Sequence, residues 1–262
     1  MPVKQRLLNI YDHISEAAEK GDVKKVKALN ELSKRILEGE DKYLENCSTN
    51  PSSDVRGLCK KANTVEWERL YNEGKTKMQL GSDRCAGEYE SVVLQVFASA
   101  LKAKRILEFG MLVGSTTLAL AEVKSVETVV TLEIEPYLET IAKPYWEKSK
   151  MAHKIRPLFG PAMESIKQLI KENQQFDMVF MDANKDEYIA YHEALLELGL
   201  LAEGGVIFVD NTSFRPSPLL SNDYFRDPTE IKRYNKYVKK DPRVDSVMLP
   251  IRDGITVIKR KD

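Results

Sequence analysis

A chain of 262 residues, 42% of them hydrophobic, is long enough to bury the core of one full α/β domain with an added segment. Its 40 basic and 40 acidic residues cancel, which removes any global field that would draw it to nucleic acid or to an anionic membrane. The 3 cysteines, Cys47, Cys59 and Cys85, show neither metal-ligand spacing nor a Cys-x-x-Cys pair, so they fit reduced thiols of a cytosolic protein.

From Val3 to about Leu44 the apolar residues Leu7, Leu8, Ile14, Val23, Val26, Leu29, Leu32, Ile36 and Leu37 recur at three- and four-residue steps among charges. That spacing predicts amphipathic helix, broken near Gly21-Asp22. Met1 to Lys20 is charged throughout and holds no apolar core of signal-peptide length, and no run of about eighteen apolar residues occurs anywhere. The expected location is the cytoplasm, with no membrane partner. Asn46 to Asp54, with Ser, Thr, Asn and Pro51, is a loop by composition. Helical patterns resume around Val65 to Tyr71 and Tyr89 to Leu101. Residues 1–75 are accordingly set apart as a helical extension, and 76–262 as the main domain.

After Lys104 short β-rich runs alternate with helical ones: Arg105 to Phe109, Glu127 to Ile134, Lys154 to Phe159, Phe176 to Asp182 and Gly205 to Asp210. Such alternation implies a parallel sheet with right-handed crossovers. Val244 to Ile251 and Ile255 to Lys259 are separated only by Arg252-Asp253-Gly254, a hairpin signal. The expected architecture is a Rossmann-like α/β fold: a seven-stranded, mostly parallel sheet with one antiparallel strand, plus the N-terminal helices.

The first strand runs into Glu108-Phe109-Gly110-Met111-Leu112-Val113-Gly114-Ser115-Thr116, with a helix opening at about Thr117. Glycines here let the backbone turn sharply and approach a ligand closely. Glu133 ends the second strand, where an acidic residue binds the ribose hydroxyls of an adenosine cofactor. The spacing is Gly-x-x-x-Gly rather than Gly-x-Gly-x-x-Gly, which favours an adenosine cofactor without a pyrophosphate. Tight strand-to-helix packing is the competing explanation for the glycine pair.

Ligands of open α/β sheets bind beyond the carboxyl ends of the strands. Glu108, Glu133, Asp182 and Asp210 all fall at such ends, with Asn211 and Lys185 beside them. A single acidic residue there would be a helix cap or turn residue, but four together point to a site. The carboxylates of Asp182 and Asp210 and the carboxamide of Asn211 make a plausible incomplete oxygen shell for Mg²⁺ or Ca²⁺. His153 and His192 have no partner at ligand spacing and read as ordinary polar residues, His13 falls on the N-terminal helix, and Cys85 has no obvious basic partner, so neither histidine chemistry nor a thiol nucleophile is expected.

These residues resemble the cation-dependent class I O-methyltransferases that use S-adenosylmethionine, including the caffeoyl-CoA and catechol enzymes. The resemblance covers roughly Met78 to the C-terminus. It is carried by Met78-Gln79-Leu80, the Glu108 to Thr116 loop, Glu133-Ile134-Glu135, Gly160-Pro161-Ala162, Asp182-Ala183-Asn184-Lys185, Tyr188 to Glu193, Asp210-Asn211-Thr212 and Asp241-Pro242-Arg243-Val244. Asp41 to Cys47 and Trp67 also look like the extension of a cyanobacterial-type branch linked to mycosporine and gadusol biosynthesis.

The resemblance implies metal ligation by Asp182, Asp210 and Asn211, with Mg²⁺ first and Ca²⁺ or Mn²⁺ as alternatives. For the cofactor it implies Glu108 and Gly110 near the amino-acid end, Thr116 on the carboxylate side, Glu133 on the ribose and Ala162 near the adenine. Leu80, Asp182 and Tyr191 complete that contact set, and Lys185, beside Asp182, takes the place of the catalytic base. Two positions depart from the family pattern. Asn184 replaces the usual second aspartate of the Asp-Ala-Asp-Lys segment, and Val113 stands where a hydroxyl residue is common.

The activity implied is methyl transfer to a hydroxyl of a vicinal dihydroxy small molecule, catechol-like or gadusol-like, by a homodimer that does not bind nucleic acid. The rivals are methylation of a hydroxylated uridine in tRNA, a nicotinamide oxidoreductase and a non-catalytic binding module. Thr212 to Asp227, rich in Ser, Pro and aromatics, is expected to cover the substrate, and the N-terminal helices to cap the site or form a dimer interface.

Overall fold

The computed structural model describes residues 3–213 and 229–261. The chain divides into two compact units, Met1–Thr49 and Asn50–Asp262. The first is a helical hairpin of α1 (Val3–Glu19) and α2 (Val23–Asn46). The break falls where the sequence places it: Gly21 takes φ +69° and the Asp22 carboxylate caps α2 by accepting from Lys25 N at 2.9 Å.

The second unit starts earlier in the chain than residue 76. Helices α3 (Ser53–Ala62) and α4 (Trp67–Asn72) belong to it, because Val55, Leu58, Cys59, Ala62, Trp67 and Leu70 share one buried cluster with Leu118 and Ala119. The sequence reading passes over α3 as loop up to Asp54. Its signal is Ser52, whose hydroxyl caps Val55 N at 3.2 Å, followed by apolar residues at helical spacing.

The sheet is built from β1 (Arg105–Phe109), β2 (Thr128–Glu133), β3 (Ile155–Phe159), β4 (Phe176–Met181), β5 (Leu201–Val209), β6 (Val244–Leu249) and β7 (Ile255–Arg260). Their spatial order is β3-β2-β1-β4-β5-β7-β6, all parallel except β7, which runs antiparallel to both neighbours. This is the expected seven-stranded sheet with one reversed strand.

Side chains alternate between two faces. Leu107, Phe109, Val179, Met181, Ile207 and Val209 pack with α8 (Ala162–Lys171), α9 (Tyr188–Glu197) and α10 (Thr229–Lys240). Ile106, Val129, Met178, Phe180, Val206 and Phe208 pack with α5 (Gly87–Ala100) and α6 (Ser115–Ala121). Helix α7 (Glu139–Lys148) joins the α3 cluster through Ala142 and Trp146. Both faces are therefore covered, as a parallel sheet requires. Among the described residues no helix is long and apolar enough to cross a membrane. The expected substrate-covering segment lies, from residue 214 to 227, outside the described residues.

Candidate active site at the carboxyl edge of the sheet

The pairing β1 to β4 aligns Phe109 with Met181, and β4 to β5 aligns Met181 with Val209. The ladder then continues one residue further: Gly110 N donates to Leu132 O, Asp182 N to Phe109 O and Asp210 N to Met181 O, each at 2.9 Å. Strand register thus places Gly110, Asp182 and Asp210 in one row, with Glu133 beside them at the end of β2.

In the half formed by β1 and β2, Glu133 is buried and its carboxylate takes three backbone N–H groups. Met111 and Leu112 donate to one oxygen and Glu135 to the other, all at 3.0 Å. Burial raises its pKa, and these donors oppose the rise. Glu133 therefore shapes the loop after β1, a role the sequence reading does not foresee. Each carboxylate oxygen has further lone pairs for a ligand's hydroxyls.

Glu108 is fully buried; Thr117 Oγ1 donates to its Oε2 at 2.5 Å, and among the described residues its Oε1 has no hydrogen-bond partner within bonding geometry. Burial pushes its carboxyl up to about 8. Helix α6 opens at Ser115, two residues before the expected Thr117, and Thr116 lies buried in its first turn. Leu80 and Ala162 are half-buried, whereas the Tyr191 ring packs 4.8 Å from Phe109 and its hydroxyl donates to Glu187 at 2.8 Å.

Both loop glycines have positive φ. A Cβ on Gly110 (φ +90°) would lie 2.0 Å from Asp182 O, and one on Gly114 (φ +74°) 2.7 Å from the Trp146 ring. Tight packing, the competing explanation for the pair, is real at both positions. At Gly110 it presses the β1 loop against the strand end that carries Asp182.

In the half formed by β4 and β5, Lys185 Nζ donates to Asp182 Oδ1 at 2.8 Å and to Tyr188 Oη at 2.7 Å. Asp210 is buried, and Asn211 N donates to its Oδ1 at 2.6 Å while Asn211 itself takes φ +58°, a conformation asparagine tolerates. Burial, reinforced by the charge of Asp182, pushes the Asp210 carboxyl up to about 7. The exposed Asn184 lies outside this contact set. Among the described residues no three His, Cys, Asp or Glu side chains gather as a ready cation cage.

Sequence reasoning misses Glu90. It is buried on α5 in a stripe with Leu94 and Ala98, its Oε1 has no partner among the described residues, and its Oε2 is 3.9 Å from Arg252 Nε. Burial first, then the charges of Asp210 and Asp182, push its carboxyl well above the ordinary range. An acid on an apolar helical stripe is the signal that could have found it. Arg252 belongs to the β6–β7 hairpin, whose Gly254 O accepts from Thr212 N at 2.9 Å and so braces the turn after Asp210.

His192 is also more than an ordinary polar residue. It is buried, with Nδ1 3.3 Å from Tyr234 Oη and Nε2 3.2 Å from Asp241 Oδ2, and Arg243 Nη2 donates to the same Asp241 oxygen at 2.6 Å. This cluster ties α9 to α10 behind the site. Cys85 Sγ is 3.6 Å from Ser115 Oγ, and a hydrogen bond from the Cys59 thiol leads the influences that lower Cys85 to about 6, a partner spacing could not reveal.

A sheet of this order, with a glycine loop after β1 and an acid ending β2, defines a Rossmann-like methyltransferase. Residues 66–261 match the family model described as O-methyltransferase, and the chain belongs to that family of S-adenosylmethionine-dependent enzymes. It is 32% identical over 183 residues to caffeoyl-CoA O-methyltransferase 5 of Nicotiana tabacum, an alignment spanning 65% of this chain and 75% of that one. Among solved structures it resembles the O-methyltransferase of Bacillus cereus in complex with SAH, at 26% identity and TM-score 0.63 over 84% of this chain and 96% of that one. It shares the fold of the SAH-bound Podospora anserina methyltransferase PaMTH1, at 24% identity and TM-score 0.74 over 87% and 96% of the two chains.

Proposed function

We propose that the protein transfers the methyl group of S-adenosylmethionine to one hydroxyl of a vicinal dihydroxy small molecule, catechol-like or gadusol-like, with a divalent cation between substrate and protein. The observation that carries this reading is the adjacency of Asp182 and Asp210 at neighbouring strand ends, with the Lys185 amine 2.8 Å from Asp182.

The residues fit a cation. Two carboxylates converge, one of them buried and driven up to about 7, and hard oxygen donors of this kind suit Mg²⁺, with Ca²⁺ or Mn²⁺ as alternatives. Asp182, Asp210 and Asn211 would hold it, and when bound it would supply Lewis-acid chemistry that lowers the pKa of a substrate hydroxyl. Lys185 then accepts the hydroxyl proton. The freed oxygen pair forms the new bond to the methyl carbon while the carbon–sulfur pair returns to sulfur.

The cofactor fits the other half of the row. Glu108 Oε1, buried without a donor among the described residues, suits the cofactor's ammonium group, and Glu133 suits the ribose hydroxyls. Gly110, Thr116, Leu80, Ala162, Asp182 and Tyr191 complete the proposed contacts. The zero net charge gives no support to a tRNA substrate.

The test is transfer of labelled methyl from S-adenosylmethionine to catechols, caffeoyl esters, flavonoids and gadusol-type enols, with Mg²⁺ or with excess EDTA, and bulk tRNA as a competing acceptor. Oxygen-methylated small molecules formed only with Mg²⁺ are expected. Full activity in EDTA would refute the chelation mechanism, and labelling of tRNA alone would refute the substrate class.

A further inference from the structure

The Lys185 amine has two acceptors, only one of which belongs to the proposed cation site. The other is the hydroxyl oxygen of Tyr188, one helical turn along the chain. Tyr188 is fully buried and its ring makes an edge contact with Tyr234 at 5.3 Å, so the ring is clamped between α9 and α10. Its own hydroxyl hydrogen is directed to Met181 O at 3.3 Å, on the last residue of β4. With that hydrogen pointed at the main chain, what Tyr188 offers Lys185 is an oxygen lone pair.

We propose that Tyr188 is a positioning residue for Lys185, its buried hydroxyl oxygen holding one hydrogen of the amine so that, with Asp182 holding another, the nitrogen lone pair takes one fixed direction. An amine about to accept a proton has two hydrogens and one lone pair in tetrahedral array. Committing both hydrogens leaves the lone pair no freedom to turn. A flexible lysine stem does not supply this by itself, because its rotamers leave the amine free to rotate. Tyr188 also links the amine to the backbone of the strand whose next residue is Asp182, so the base and that carboxylate share one anchor. The oxygen takes no part in bond making: the substrate proton passes to Nζ, and the Tyr188 hydrogen stays on its own oxygen.

The inference rests on the proposed methyl transfer, but its test has a readout that needs no substrate. In Tyr188→Phe of the full-length protein, kcat for a catechol is expected to fall about tenfold or more, because small misplacements of a reacting group cost that much. KM for the catechol and the dissociation constants of SAH and Mg²⁺ should stay within about twofold. In a Lys185→Ala background the same change should have no further effect on rate. A crystal structure of Tyr188→Phe should show Nζ displaced from Asp182 Oδ1.

An equal rate loss in both backgrounds, a shift confined to KM, or an unmoved Nζ would each overturn the role. Should the phenylalanine variant fail to fold, 3-fluorotyrosine placed at 188 weakens the oxygen as an acceptor with little change of size. A smaller fall in kcat is then expected, and an unchanged kcat would overturn the proposal. If the wild-type protein methylates none of the dihydroxy compounds, the proposed function fails, while the position of Nζ in the phenylalanine variant still decides the role of Tyr188.

Discussion

Two carboxylates in the same row, Glu133 and Asp210, meet different surroundings. Glu133 is surrounded by backbone donors that the fold itself supplies, so its charge is used to hold the loop after β1. Asp210 is pressed into a buried place beside another acid, and its carboxyl rises to about 7. The contrast separates stability from chemistry: Glu133 is held by donors of its own loop, whereas Asp210 keeps a carboxyl lifted first by burial and then by the charge of Asp182.

The sharpest way to break this contrast is Asp210→Ala. Turnover with Mg²⁺ should fall by about a thousandfold or more, while SAH affinity by calorimetry stays near that of the unmutated protein and the melting temperature does not drop. A large loss of stability would show that Asp210 also holds the fold together.

Glu133→Ala should do the reverse. Three backbone N–H groups lose a charged acceptor, a cost of about 3 kcal/mol that lowers Tm by roughly 10 °C, alongside weaker SAH binding. An unchanged Tm would assign Glu133 to the ligand alone.

Gly114→Ala comes next. The added Cβ must enter the Trp146 ring contact from a left-handed backbone, at a cost of about 1–3 kcal/mol read by denaturant unfolding.

The last prediction concerns pH. Burial raises Glu108 to about 8 from an ordinary value of about 4.3, so the unfolded chain releases this proton first. Between those values Glu108 makes the cofactor-free protein less stable as pH rises, and the loss levels off above about 8. Glu108→Gln should flatten the fall in Tm between about pH 5 and pH 8, and an identical slope in the variant would refute the assignment.

The row of strand-end acids was legible in the sequence because β periodicity and the strand-to-helix rhythm locate carboxyl ends without knowledge of packing. Asp182, Asp210 and Asn211 follow directly from it. The three donors on Glu133 were not legible, since they depend on the path of a loop whose residues, Met111 and Leu112, show only apolar side chains. Glu90 and His192 were missed for a related reason: each sits in a helical pattern, and its partners Arg252 and Asp241 arrive from segments far along the chain. Helix α3 escaped because its ten residues include three lysines or arginines and a glycine, which dilute the apolar stripe.

The crossing at Gly110 gives the carboxyl edge of the sheet a ruler made of main chain. The loop after β1 rests directly on the carbonyl of Asp182, with no room for even a methyl group between them. The spacing between the two halves of the row is therefore gauged by peptide contact. Changes of substrate preference in this chain have to be written elsewhere, in the residues that surround the acceptor, because this one dimension has no adjustable part.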